Sequence, residues 1–214
     1  MAYGILNDEH LIAIGDAIRT KNNTTNTYKA SEMAAAIADL PGTDLEDDIV
    51  SRNPYSVNLI NYVNDRITNI GSYVFYGFLQ LESISGSNIT YIGDLALYHC
   101  NKLSSLNCPK LAGLGSYALR DCSLLTTLDM FGGNRIWDGA FQGCTQLTTL
   151  ILRNTSNITY LNNGATVFVD TPIASGTGYI YVPRALLSQY QNNVTWSTLT
   201  SQLRAIEDYP EICG

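Results

Sequence analysis

The chain has 214 residues and a formal net charge of −7, and only 14% of its residues are charged, against about 25% in an average soluble protein. Uncharged polar residues fill the difference, with 19 Asn, 20 Thr, 16 Ser and 14 Tyr. A hydrophobic content of 45% excludes a disordered chain. No apolar run approaches the length of a membrane-spanning helix, and the acidic balance argues against binding to nucleic-acid phosphates, which needs clustered Lys and Arg.

The amino terminus, Met1 to Glu9, has no basic segment, long apolar run or small-residue cleavage site, so no secretory leader is expected. Asn7 or Asp8 is placed to cap a helix with Leu11, Ile14, Ala17 and Ile18 on one face. A polar loop from Lys21 to Lys29 follows. Ser31 then opens a second helix carrying Met33, Ala36, Ile37 and Leu40, stopped by Pro41-Gly42. Two such helices bury too little surface to fold alone. Leu11, Ile14, Ile18, Met33, Ile37 and Leu40 are therefore expected to attach residues 1–42 to the rest of the chain or to another chain. Residues 43–66 read as a linker and cap. Their acidic run, Asp44-Leu45-Glu46-Asp47-Asp48, lacks the glycine and distal glutamate of a calcium loop and reads as solvated.

From residue 67 to 161 the sequence repeats every 22 residues. Ile70, Ile92, Leu114 and Ile136 form one apolar column. Val74/Ala96/Ala118/Ala140, Phe75/Leu97/Leu119/Phe141, Phe78/Cys100/Cys122/Cys144, Leu81/Leu103/Leu125/Leu147 and Ile84/Leu106/Leu128/Leu150 form five more. A fifth start, Ile158-Thr159-Tyr160-Leu161, is displaced by three residues. One such unit cannot bury its apolar side chains alone, whereas stacked units bury each column against itself, which predicts a solenoid. Strands are expected at Ile67–Ile70, Ile89–Ile92, Leu81–Ile84, Leu103–Leu106, Leu125–Leu128 and Leu147–Leu152, with neighbours about 4.8 Å apart. The Gly71/Gly93/Gly115 column predicts a position needing small size or positive φ.

Cys100, Cys122 and Cys144 share a column with Phe78, so they read as small buried hydrophobes. Their parallel side-chain directions fit disulfide geometry poorly. Cys108 and Cys213 fall outside the ladder. No metal site is expected, because no Cys or His residues occur at ligand spacing. No cofactor motif or nucleophile elbow is present. His99 shares its column with Gly77, Asp121 and Gly143 and reads as a turn residue rather than a base. Glu82, Asp94, Asp121, Asp129 and Asp138 read as scattered surface charge, balanced by five bases in the same span. With no catalytic motif no enzymatic activity is expected, and the alternative is a hydrolase with two carboxylates in a deep cleft. The variable columns are the better functional candidates. Tyr76, Tyr98, Arg120 and Gln142 are successive residues of one column, and Tyr73 and Tyr117 belong to a second. Exposed tyrosines supply contact area at low entropic cost. They equally serve to cover the apolar edge of a solenoid, and the sequence leaves both readings open.

Residues 162–214 read as a cap, because a solenoid end exposes strand edges and core. Tyr179–Val182 alternates like a strand, and Pro183 suits a first helical turn. Leu186, Leu187 and Tyr190 then share a helical face, and Thr195 is placed to cap a short helix with Leu199 and Leu203.

The repeated pattern Ile-Gly-x-x-Ala-Phe-x-x-Cys-x-x-Leu-x-x-Leu resembles the BspA-type leucine-rich repeat. The resemblance implies an α+β protein, a short leucine-rich-repeat solenoid with an N-terminal helical module and a C-terminal α/β cap. It also implies a surface-exposed binding or adhesion role, as in bacteria, or a part in a bacteriophage particle. The segment Leu11 to Lys21, with Glu32 to Ile37, resembles a short module of phage tail and other virion proteins. Together the two resemblances imply a virion structural protein, in the tail, baseplate, fibre or head decoration. It would associate with other virion proteins or with itself, as a homo-oligomer such as a trimer. The repeats would face a host glycan or protein through Tyr73, Tyr76, Tyr98, Tyr117, Arg120 and Gln142. The alternative is a bacterial cell-surface adhesin or secreted repeat protein.

Overall fold

The computed structural model describes residues 59–132 and 135–213. Residues 1–42 and most of 43–66, with the attachment residues Leu11, Ile14, Ile18, Met33, Ile37 and Leu40, lie outside the described residues.

Each repeat contributes two short strands, and every pairing between them is parallel. On one side β2 (Asn69–Ile70), β4 (Tyr91–Ile92), β6 (Gly113–Leu114), β8 (Arg135–Ile136) and β10 (Tyr160–Leu161) form a five-stranded sheet. Its inward column is Ile70, Ile92, Leu114, Ile136 and Leu161, all buried. On the other side β1 (Asn61–Val63), β3 (Ser83–Ser85) and β5 (Ser105–Asn107) form a three-stranded sheet. Beyond it β7 (Thr127–Met130), β9 (Thr149–Leu152), β11 (Tyr179–Val182) and β12 (Leu203–Ala205) form a four-stranded one. Tyr62 opposes Ile84 in β1, so the stack already includes residues 61–63, ahead of the expected start at 67. Leu161 opposes Ile136, a step of 25 rather than 22 residues, in agreement with the three-residue displacement of the fifth unit.

The second set of strands starts two residues later than expected, at Ser83, Ser105, Thr127 and Thr149. Side chains alternate along a strand, so Leu81 and Ile84, three residues apart, cannot both point inward from one strand. Leu81 enters the core from a turn instead, with its amide donating to Phe78 O at 3.1 Å. The same reasoning confines the first strand to Asn69–Ile70, with Ile67 buried ahead of it.

Between the two strands of a repeat the chain makes a turn whose amides also point along the stack. Tyr73 N donates to Asp94 O at 3.0 Å, Phe75 N to Ala96 O at 2.8 Å and Gly77 N to Tyr98 O at 2.8 Å. Leu95, Leu97 and His99 repeat the pattern one rung on. Two positions in each turn are left-handed: Tyr73, Leu95, Tyr117 and Gly139 at the first, and Gly77, His99, Asp121 and Gly143 at the second. His99 is therefore a turn residue. The Gly71/Gly93/Gly115 column is not among the positive-φ positions. Small size is what it supplies, because a Cβ on Gly93 would lie 2.7 Å from Ser72 N of the preceding rung.

The cysteine ladder is buried and its thiols are free. Each thiol donates to a carbonyl of the preceding repeat, Cys100 to Phe75 O at 3.1 Å, Cys122 to Leu97 O at 3.3 Å and Cys144 to Leu119 O at 3.1 Å. Cysteine thus fills the column and satisfies a buried acceptor as well. Burial pushes the thiols of Cys100, Cys108 and Cys144 up to about 12, and that of Cys122 well above its ordinary value.

The cap continues the stack instead of merely covering it. Ile180 opposes Leu150, and Leu203 opposes Ile180. Leu203 therefore lies in a strand and not in the expected helix, which is a 3₁₀ segment at Ser197–Gln202. Trp196, rather than Thr195, takes the capping position, and the Thr195 hydroxyl bonds Asn193. Short helices α1 (Gly164–Val167) and α2 (Pro172–Ser175) stand in for the next turn. Val167 O and Val169 O accept from Phe141 N and Gly143 N, and Phe168 stacks on Phe141 at 5.3 Å. Helix α3 (Arg184–Asn192) follows Pro183, which sits one position ahead of the first turn. It drives Tyr190 inward, where its hydroxyl receives Thr159 N at 2.8 Å and donates to Thr159 Oγ1 at 3.1 Å. Trp196 Nε1 donates to Thr159 O at 2.9 Å. Helix α4 (Pro210–Cys213) follows, and the terminal segment lays Tyr209 and Ile212 against Ile151, Tyr181 and Ile206.

Candidate binding surface

The turn ladder gathers five of the six residues expected to form a binding surface. Tyr76 and Tyr98, 22 residues apart, stack face to face with centroids 4.8 Å apart and planes 10° apart. Tyr73 lies beside Tyr76 at 6.1 Å. The Arg120 guanidinium lies 5.3 Å from the Tyr98 ring and 5.5 Å from the Tyr117 ring. Gln142, the sixth, is half-buried on the next rung.

The backbone builds this row. The left-handed turns fix Tyr73 and Tyr117 at φ 65° and 55°, a region that costs a non-glycine residue roughly 1–2 kcal/mol. Leu95 and Gly139 occupy the same column, and the glycine makes room for the Tyr117 ring, since a Cβ there would collide with Tyr117 Cε1. The rings keep one side accessible, with Tyr73 45% and Tyr76 37% exposed. His99 packs edge-on to Tyr98 at 4.0 Å and approaches Asp121, its Nδ1 3.3 Å from the carboxylate, while Arg120 Nε lies 3.5 Å from the same group. Asp121 thus anchors the polar end of the row.

A second aromatic group lies on the outer face of the five-stranded sheet, and sequence reasoning did not single it out. The outward column is Asn69, Tyr91, Gly113, Arg135 and Tyr160. A Cβ on Gly113 would come 3.0 Å from Tyr91 Cδ2, so the missing side chain lets the Tyr91 ring lie flat over the sheet. Arg135 sits between Trp137 and Tyr160, 4.7 and 4.8 Å from their centroids. Burial, with a smaller contribution from Asp94, raises the Tyr91 hydroxyl above its ordinary value, partly offset by Arg135. The 22-residue period carries this column through Arg135, but Gly113 interrupts its aromatic character and the three-residue insertion moves Tyr160 out of alignment.

A third pair, Arg204 over Tyr179 at 4.3 Å, lies on the outer face of the four-stranded sheet. There Arg153 pairs with Asp129 and donates to Ile212 O at 2.8 Å, fixing the terminal segment across that face. Among the described residues no group of three His, Cys, Asp or Glu is placed to hold a metal ion, and no helix is long and apolar enough to cross a membrane.

Residues 55–174 match the family described as BspA type leucine rich repeat region, in six copies. The solved structures include a leucine-rich repeat protein from Bacteroides ovatus ATCC 8483 that is similar at 20% identity and a TM-score of 0.46. The match covers 70% of this chain and 43% of that one, so the chain spans under half of that protein's length. No curated protein matches the chain.

Proposed function

The chain belongs to the BspA-type leucine-rich repeat family, and on that premise we propose a non-enzymatic binding protein that holds a macromolecular partner through Tyr73, Tyr76, Tyr98, Tyr117 and Arg120. The observation that carries this reading is the Tyr76–Tyr98 stack with Arg120 lying over the Tyr98 and Tyr117 rings. Ring-on-ring and cation–ring packing fixes the side chains before a partner arrives, which lowers the entropic cost of binding. Tyrosine and arginine are also the residues that most often dominate binding energy.

The setting we favour is a bacterial cell surface, where the repeat family supports an adhesive role. That reverses the order suggested by sequence alone. The virion reading rests on the segments around Leu11–Lys21 and Glu32–Ile37, which lie outside the described residues. Self-association through residues 1–42 belongs to the same proposal. Light scattering of the full chain at micromolar concentration is expected to give more than one copy, and a clean monomer removes that part.

The test of the binding reading is retention of labelled full-length protein on bacterial cell walls freed of their anionic polymers. The double variant Tyr76→Ala, Tyr98→Ala is expected to lose most of the retained protein while keeping its circular dichroism spectrum. Equal retention of the folded double variant and the parent refutes the tyrosine row as the contact. Antibody detection on intact cells against purified phage particles decides the setting.

A further inference from the structure

The Tyr91–Arg135–Trp137–Tyr160 group holds an arginine that lacks the polar partners of Arg120, Arg153, Arg184 and Arg204. Arg120 has Asp121, Arg153 has Asp129 and Arg184 has Asp208 as carboxylate partners. Arg204 spends donors on Ser201 O and Leu203 O. Arg135 is exposed, lies between two aromatic rings, and has neither a carboxylate nor a hydrogen-bond acceptor among the described residues. Its planar donor fork is thus oriented by ring stacking and left free for an incoming group, the arrangement suited to bidentate contact with a carboxylate or phosphate.

The surroundings suit an anion. The outward residues of the five-stranded sheet are Asn69, Tyr91, Gly113, Arg135 and Tyr160, with no acid among them. Asp94 acts on Tyr91 and accepts from Ser116 N at 2.7 Å, and Asp138, next to Trp137, accepts from Thr166 Oγ1 at 3.2 Å, so both carboxylates are engaged. The repeat array itself is neutral, with five acids and five bases between residues 67 and 161, so the acidic excess of the chain lies outside it. The column Tyr91, Gly113, Arg135 and Tyr160 is also periodic. Rungs recur about every 4.8 Å, so Tyr91 and Arg135, two rungs apart, present a ring and a cation in line. A polymer that alternates ring faces and negative charge matches that spacing better than a folded protein surface does.

We infer that the outer face of the five-stranded sheet is a second binding site, separate from the turn ladder, for an anionic glycopolymer. The sugar rings stack on Tyr91, Trp137 and Tyr160, and the acidic group pairs with Arg135. The site reads a carboxylate or phosphate borne on a chain that carries sugar rings, and the two sources are separated by the probes.

The experiment is titration of the full chain with polygalacturonate, with a glycosylated poly(ribitol phosphate) teichoic acid, and with neutral dextran. Binding to either anionic polymer, weakened by salt and absent with dextran, is the expected result. Polygalacturonate alone identifies carboxylate recognition, the teichoic acid alone identifies phosphate recognition, and both together identify a general anion site. Arg135→Gln is expected to weaken that binding about tenfold, the loss of one charge-assisted bond. Trp137→Ala and Tyr160→Ala should weaken it as well, each with an unchanged thermal melt. Arg135→Lys keeps the charge and loses the fork, and is expected to fall between parent and Arg135→Gln. Tyr76→Ala should leave polymer binding unchanged, which separates this site from the proposed contact row. Failure to bind either anionic polymer, equal binding of dextran, or binding indifferent to Arg135→Gln in a folded variant overturns the inference.

Discussion

Gly115→Ala tests the packing of the stack most directly, because two lines of reasoning give opposite signs. Gly115 is not a positive-φ residue. On backbone conformation alone, replacing it with alanine would stabilise the protein by about 0.4–1 kcal/mol through the unfolded chain. The neighbouring rung reverses this. The new Cβ would lie 2.6 Å from Asp94 N and 2.7 Å from Gly93 C, and these backbone atoms cannot swing aside. Relief requires the rungs to separate, which strains Gly115 N→Ile92 O at 2.8 Å and Ser116 N→Asp94 Oδ1 at 2.7 Å. Overpacking costs about 1–3 kcal/mol, and two weakened bonds add about 1–2 kcal/mol, so the net loss is about 2–4 kcal/mol. The next member of the column supports the mechanism: Trp137 carries a Cβ, and its bond to Leu114 O is lengthened to 3.1 Å. Urea denaturation is the assay. With a slope of about 2 kcal/mol/M, the midpoint should fall by roughly 1–2 M. Gly77→Ala serves as the contrast, since nothing lies within 4 Å of its Cβ but φ is +73°; it should cost about 1–2 kcal/mol from backbone strain alone. A Gly115→Ala midpoint equal to or above the parent's would refute the close-approach argument.

Tyr190→Phe leaves the buried Thr159 amide without its partner, and should lower stability by about 1–3 kcal/mol, read as an earlier loss of cap fluorescence from Trp196 in urea. The thiols of Cys100, Cys108, Cys122 and Cys144 should resist alkylation at pH 8 in the native state and react fully in denaturant, as mapped by peptide mass spectrometry. Rapid native labelling of any of the four contradicts their burial. Those thiols also fix an alkaline limb of stability. Their folded values are raised to about 12 for Cys100, Cys108 and Cys144. Above the ordinary thiol value of 9.0 the unfolded chain therefore releases protons that the folded chain keeps. Stability is fully present below about pH 9 and should fall as pH rises beyond it. A flat unfolding midpoint between pH 8.5 and 10.5 refutes the assignment.

The repeat columns were legible because each sits at a fixed distance from its copies, so Ile92, Cys122 and Leu147 identify their environments by comparison alone. Strand limits were less legible. Leu81 and Ile84 carry the same apolar signal, and only the two-residue alternation of a strand separates the turn residue from the strand residue. The Tyr76–Tyr98–Arg120 row could be read from the period, since an exposed column in a stacked fold brings its members together. The Tyr91–Arg135–Tyr160 platform is not legible in the sequence because the position between Tyr91 and Arg135 is a glycine, whose contribution is the space it leaves, and because three extra residues shift the register before Tyr160. Leu203 was assigned to a helix from local spacing, whereas pairing with β11, set by the distant stack, makes it a strand.

The thiol bonds that link each rung's cysteine to the rung before it, with the turn amides and strand pairs, bind every repeat to its immediate neighbours and to little else. In-frame duplication or excision of one repeat inside the array therefore recreates the same junctions at the new site. A chain of this design can change reach in whole-unit steps while its terminal cap stays as it is, so its length and its contact chemistry are free to drift separately under selection.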